Sequence, residues 1–178
     1  MPIVTVFGSN AAEVNDTGYQ EAYTLGRLLG QAGYILATGG YYGTMEATSR
    51  GAKEAGAHVI GVTTSRFDDR GGPNPYVDEE IKLPTLFQRL HYLVTFSDGL
   101  VALRGGVGTL SEVALSWSLI QVGEMSRKPF VLVGPHWQQI METYFRESTV
   151  KERDRAMLSF AANVNEVVRL LHKTNDRR

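Results

Sequence analysis

The stretch "RGGVGTLSEV", residues 104–113, joins an apolar run to a helix-like segment through three glycines and a threonine, a combination suited to holding an anion. Glycine removes the side chain that would keep a ligand away from the backbone, and the free amides at a helix start attract negative charge. Gly105, Gly106, Gly108 and Thr109 are therefore candidate phosphate-binding residues. A second turn, "TGGYYGTMEA" (38–47), has the same make-up and adds Gly39, Gly40, Gly43 and Thr44; a third, "FGSN" (7–10), adds Gly8 and Ser9. The competing reading is that such glycines serve only tight turns, and the repetition of the pattern weighs against it. None of the turns has the G-x-G-x-x-G of dinucleotide sites or the G-x-x-x-x-G-K-[ST] of triphosphate sites. A mononucleotide or a sugar phosphate remains.

Glu112 lies three residues beyond Thr109. A carboxylate in that place could stabilise a developing positive charge or activate water. Thr109-Leu110-Ser111-Glu112 also has the form of a capping box, in which Glu112 merely reaches back to the Thr109 amide. Two other carboxylates, Glu46 and Asp98, are expected near strand ends. Glu46 is a possible ligand or a favourable charge at a helix start; Asp98 is a possible site residue or a hydrogen-bonding cap where a strand begins.

The elements that must carry these groups alternate along the chain. Apolar or β-branched runs at 3–7, 34–37, 58–62, 100–103, 130–133 and 158–161 read as buried strands. Amphipathic segments at 19–32, 45–55, 86–96, 110–122, 137–145 and 164–171 read as helices. Such alternation predicts an α/β fold, a Rossmann-like doubly wound parallel sheet with helices on both faces. In that architecture ligands bind beyond the carboxyl ends of the strands, where all three glycine turns fall. The stretch 63–80, with Gly-Gly-Pro and Asn-Pro, reads as a surface loop, either a lid or a long connection. One domain over 1–173 with a frayed tail at 174–178 is expected.

Composition narrows the partners. With 18 Lys and Arg against 19 Asp and Glu, the net charge of -1 gives no reason to expect nucleic acid or an anionic membrane. The absence of cysteine excludes disulfides and thiolate metal sites, and no metal or cofactor site is expected. No run approaches the length of a membrane span, and the first residues lack a signal-peptide pattern, so a cytoplasmic protein is expected. The segment 110–122 is apolar nearly all round, more than one contact with a sheet would need, which predicts a homodimer or larger homo-oligomer.

"GGVGTLSE" resembles the P-G-G-x-G-T-x-x-E motif of the LOG family, the cytokinin riboside 5'-monophosphate phosphoribohydrolases once labelled lysine decarboxylases. The resemblance spans nearly the whole chain: "VFGSN" is similar to the family's first strand and turn, and "GGYYGTMEATSRGAKEAGAHVIGV" to its second loop, helix and third strand. "LFQRLHYLVTFSDGLVAL" looks like the family's M-H-x-R-K helix and next strand, which puts the family's catalytic arginine at Arg89 and its catalytic glutamate at Glu112. By itself an arginine on a helix is usually a solvated face, although a guanidinium fork is well suited to holding phosphate or sugar oxygens. Arg104, Leu90, Phe87 and Glu46 depart from the family pattern, where proline, lysine, histidine and glycine stand. The G-x-M-E-A form of residues 43–47 is closer to a sister branch that includes molybdenum-cofactor carriers.

The resemblance therefore implies one of two functions. The first is hydrolysis of a nucleoside 5'-monophosphate to free base and ribose 5-phosphate; the second is non-catalytic binding of a nucleotide or pterin cofactor. Decarboxylation is not expected, since it needs a pyridoxal-binding lysine and neither Lys53 nor Lys128 lies in a phosphate-cradling context. His91 shares a helix with Arg89 and is read as surface or packing.

Overall fold

A computed structural model describes residues 1–175. Its strands are β1 (Ile3–Phe7), β2 (Ile35–Thr38), β3 (Val59–Thr64), β4 (Glu79–Leu83), β5 (Gly99–Ala102), β6 (Phe130–Val133) and β7 (Ser159–Ala161). They form one sheet in the order β4-β3-β2-β1-β5-β6-β7, every neighbouring pair parallel. The helices are α1 (Thr17–Gln31), α2 (Thr44–Glu54), α3 (Leu86–Thr95), α4 (Val107–Val122), α5 (Pro135–Glu147), α6 (Glu152–Arg155) and α7 (Val167–Asn175).

The two-residue period of each strand divides the interior into two cores. Val4, Val6, Val101 and Val131 point to the face covered by α1, α2 and α7, where they meet Leu25, Leu29 and Leu171. Phe7, Leu100, Phe130 and Leu132 point to the opposite face and pack under α3, α4 and α5 against Leu93, Val113 and Trp137. The expected doubly wound α/β architecture is thus the one observed. On the first face, α1 and α2 approach so closely that a Cβ added at Gly26 would lie 3.0 Å from the Ala52 amide, and one at Gly51 would lie 2.9 Å from the Arg27 amide.

Three differences from the sequence reading have physical causes. The expected loop at 63–80 runs into β4, "EEIKL", which starts at Glu79 and pairs with β3 over five residues; as an edge strand largely open to solvent it carries charged residues and lacks the apolar signature of an inner strand. Helix α4 begins at Val107, three residues before the expected start, because the glycines that suggested a turn already have helical or capping geometry. Helix α7 continues through Asn175, into the segment read as a tail, while 176–178 lie outside the described residues. Among the described residues no helix is long and apolar enough to cross a membrane.

Candidate active site

Strand order reverses direction between β1 and β5, so the crevice opens above the carboxyl ends of these two strands. The loop after β1 carries Gly8 and Ser9, the loop after β5 carries residues 104–106, and the loop after β2 flanks them. Two threonines bind the three loops together. The Thr109 hydroxyl donates to the Gly8 carbonyl at 3.0 Å, and the Thr44 hydroxyl and amide both donate to the Ser9 carbonyl, at 3.0 and 2.9 Å. Both threonines are buried. Their hydroxyl hydrogens serve the protein's own backbone, so the expectation that they face a ligand gives way to a role in fixing the loops.

The two glycine turns, alike in sequence, have different jobs. Around β2 the glycines make room for protein. A Cβ at Gly39 would collide with the Arg89 guanidinium, and one at Gly40 would lie 2.9 Å from Thr63 Cγ2; Gly43 sits at φ 72° against the Ser9 and Asn10 backbone. Around β5, Gly105 packs against the Thr109 side chain, but a Cβ at Gly106 or Gly108 would meet nothing within 4 Å. This loop is exposed, with Gly106 as the N-cap of α4 and no side chain capping the helix. The first intrahelical bond of the turn is from the Leu110 amide to the Gly106 carbonyl, which leaves the preceding amides directed at the crevice mouth, where the helix dipole adds its positive end.

Arg89 is not on a solvated face. It is 7% exposed, its Nε donates to the Val62 carbonyl at 2.8 Å and its Nη2 to the Gly39 carbonyl at 3.1 Å, and its Cζ lies 5.5 Å from the centre of the Tyr41 ring. Helix α3 delivers it there, started by Thr85, whose hydroxyl accepts from the Gln88 amide. Glu112, in the second turn of α4, is 9% exposed. Burial pushes its carboxyl up to about 7, with the Arg89 charge pulling the other way. The capping-box alternative fails on geometry: Gly106 caps α4, Thr109 is inside the helix and bonded to Gly8, and Glu112 lies beyond the first turn.

The remaining candidates separate. Glu46 is half-buried in the first turn of α2, and its charge, after burial, raises the Tyr19 phenol on α1. Asp98 lies at the opposite end of the sheet, where its carboxylate accepts from the Ile3 amide at 2.8 Å and its own amide donates to the Ile3 carbonyl. It caps the start of β5 and is not part of the crevice. His91 is exposed, as expected. Sequence reasoning passed over Tyr41 and Asn74, both buried beside the β2 loop; the Asn-Pro that marked a turn was the visible sign of the second.

The family can now be settled, because the profile of the SLOG cluster4 family matches residues 1–168. The chain belongs to that family. The likeness to LOG proteins expected from "GGVGTLSE" is thereby shown. The pyrimidine/purine nucleotide 5'-monophosphate nucleosidase of Escherichia coli is 30% identical over 131 residues, 68% of this chain and 29% of that one. The cytokinin riboside 5'-monophosphate phosphoribohydrolase of Mycobacterium tuberculosis is 30% identical over 108 residues, 61% of this chain and 57% of that one. The chain thus spans less than two thirds of either relative. Among solved structures, the molybdenum cofactor binding protein of Rippkaea orientalis superimposes with a TM-score of 0.78 at 27% identity, covering 97% of this chain and 96% of that one.

Proposed function

We propose that this SLOG protein hydrolyses the N-glycosidic bond of a nucleoside 5'-monophosphate, of AMP or cytokinin riboside monophosphate type, to free base and ribose 5-phosphate. One observation carries the reading: a buried carboxyl whose pKa is pushed up to about 7, Glu112, stands one turn beyond the open amides of the α4 N-terminus and feels the charge of Arg89. The amides around Gly106 and Gly108 hold the phosphate, and Arg89 holds phosphate or sugar oxygens. Glu112 serves the ribose. As the bond between C1' and the base nitrogen breaks, its carboxylate stabilises the cationic ring and accepts a proton from the attacking water, whose oxygen bonds to C1'; the base leaves with the bonding electrons and takes up a proton from solvent, to which Glu112 afterwards returns the one it accepted. A carboxyl titrating near neutrality is matched to that exchange at physiological pH.

A second reading, non-catalytic binding or carriage of a nucleotide or molybdenum cofactor, is supported by the whole-chain likeness to the Rippkaea orientalis protein. Both readings use the same open amides. Incubation with a panel of nucleoside monophosphates, followed by chromatography for free base, separates them: released base supports the hydrolase, and binding of nucleotide or pterin without release supports the carrier.

The protein acts as a homodimer in the cytoplasm on this reading. A groove of about 620 Å³ between α4 and α5, lined by Leu110, Trp117, Ile140 and Tyr144 among others, leaves Leu110 50% and Ile140 and Tyr144 52% exposed, an apolar surface suited to a second copy.

A further inference from the structure

Asn74 lies in the connection between β3 and β4, outside the three candidate anion-binding turns, yet it is 2% exposed and makes five hydrogen bonds, one of them local, from the Val77 amide to its carbonyl at 3.2 Å. Its Nδ2 donates to the carbonyls of Gly40 at 3.0 Å and Tyr41 at 2.8 Å, its amide donates to the Gly40 carbonyl at 2.8 Å, and its Oδ1 accepts from the Tyr76 amide at 3.1 Å. An exposed connection needs no such anchoring for its own sake. What it grips is the floor on which Arg89 rests. Gly39, next to Gly40, accepts from Arg89 Nη2, and the Tyr41 ring faces the Arg89 guanidinium. The Tyr41 hydroxyl is itself held between the Thr64 amide, which donates to it at 3.0 Å, and the Thr64 carbonyl, which accepts from it at 3.2 Å. Thr64 ends the strand that supplies the Val62 carbonyl to Arg89 Nε.

We infer that Asn74 is a positioning residue for the anion-binding guanidinium: by fixing the Gly40 and Tyr41 carbonyls it sets the Gly39 carbonyl and Tyr41 ring that orient Arg89, and through Arg89 it sets the affinity of the crevice for a phosphorylated ligand. Residues 71–78 act as a strap, and of the two readings of this stretch, a lid or a long connection, the anchoring fits the connection. The inference rests on the proposed role of Arg89 for its ligand consequence, but its structural core does not.

The test has one arm without ligand and one with. In the ¹⁵N-labelled protein, the buried Arg89 Nε–H exchanges slowly with water; Asn74→Ala, and Asn74→Asp, which keeps the volume and the Tyr76 bond but cannot donate to two carbonyls, speed that exchange about ten-fold or more in the folded protein. Unchanged exchange in either folded variant overturns the inference. In calorimetry with ribose 5-phosphate and AMP, Asn74→Asp weakens binding about ten-fold, and the same substitution adds little in an Arg89→Ala background. Additive losses overturn it, because a general loosening of the fold would act independently of Arg89. If the wild type binds neither phosphate, the functional reading fails while the exchange arm still decides the positioning role.

Discussion

Thr109 donates its hydroxyl hydrogen to the carbonyl of Gly8, 101 residues earlier in the chain, and so ties the start of α4 to the end of β1 across the point where strand order reverses. Thr109→Val keeps the shape and β-branching but leaves that carbonyl without its donor. The expected loss is about 1 kcal/mol of stability with weakened phosphate binding, and Thr109→Ser restores both; thermal melts and ligand titrations of the two variants check it. Equal behaviour of the two would remove the bond from the account.

Glu112→Gln preserves size and removes the charge. Under the hydrolase reading, kcat falls on the order of 10²-fold or more while ligand affinity changes little. A variant with full turnover would exclude Glu112 from the chemistry.

The same residue makes stability depend on pH in a definite direction. The folded-state carboxyl, at about 7, is raised above its ordinary 4.5, so the folded state binds the proton more tightly than the unfolded chain. Its contribution is fully present below the unfolded value and is lost as pH rises through about 7, a change of about 3 kcal/mol. Denaturant titrations at pH 5 and pH 9 should therefore show Glu112→Gln gaining on the wild type at the higher pH. A constant difference between the two proteins would place the carboxyl outside the low-dielectric interior.

Arg89→Ala differs from Glu112→Gln in what it takes away. It removes two bonds to backbone carbonyls as well as a ligand contact made before the transition state, so stability, affinity and kcat fall together. Lysine is a poor replacement because one ammonium cannot reproduce the fork that meets Val62 and Gly39. Unaltered affinity for ribose 5-phosphate in a folded Arg89→Ala protein would remove this residue from the anion site.

Two glycine substitutions should fail in opposite ways. Gly106→Val meets open space and a φ of -95° that any residue adopts, so the protein folds with a melting temperature close to wild type, but the side chain blocks the amides and phosphate binding is lost. Gly39→Ala puts a methyl into the Arg89 guanidinium, so the fold itself is destabilised. Melting curves and phosphate titrations of the pair would reveal any reversal.

That contrast marks where the sequence is legible. The six inner and far-edge strands follow from apolar runs, since an inner parallel strand is buried on both faces and must be apolar throughout; β4 escapes notice because one side of an edge strand is solvated and "EEIKL" looks like a loop. The motif of small residues around 39–44 and 105–109 reports that something approaches the backbone closely. It does not say whether that is a ligand or another part of the protein, and only the packing of Arg89 and Thr63 against one loop tells them apart. Glu112 and Asp98 illustrate the same limit, because two carboxylates flanking one strand end up at opposite ends of the sheet.

The exposed face of α4 and α5 has a direct physical test. Light scattering at micromolar concentration should give about twice the 19.6 kDa chain mass, and Leu110→Glu or Ile140→Glu should halve it. A 19.6 kDa wild-type particle would show that the groove is not a dimer seam.

The glycine contact between α1 and α2 has a consequence for how such a crevice can change its ligand. With Gly26 against Ala52 and Gly51 against Arg27, the two helices have no side-chain layer to compress between them, so the loops after β1 and β2 cannot shift independently. They form a fixed jaw. Accommodation of a larger or differently shaped base falls to the other jaw, the exposed residues 104–108 at the start of α4, where a Cβ added at Gly106 or Gly108 meets nothing within 4 Å and side chains can be exchanged without disturbing a backbone contact. Divergence of ligand choice on this scaffold should therefore accumulate at the start of α4, while the small residues of α1 and α2 resist replacement.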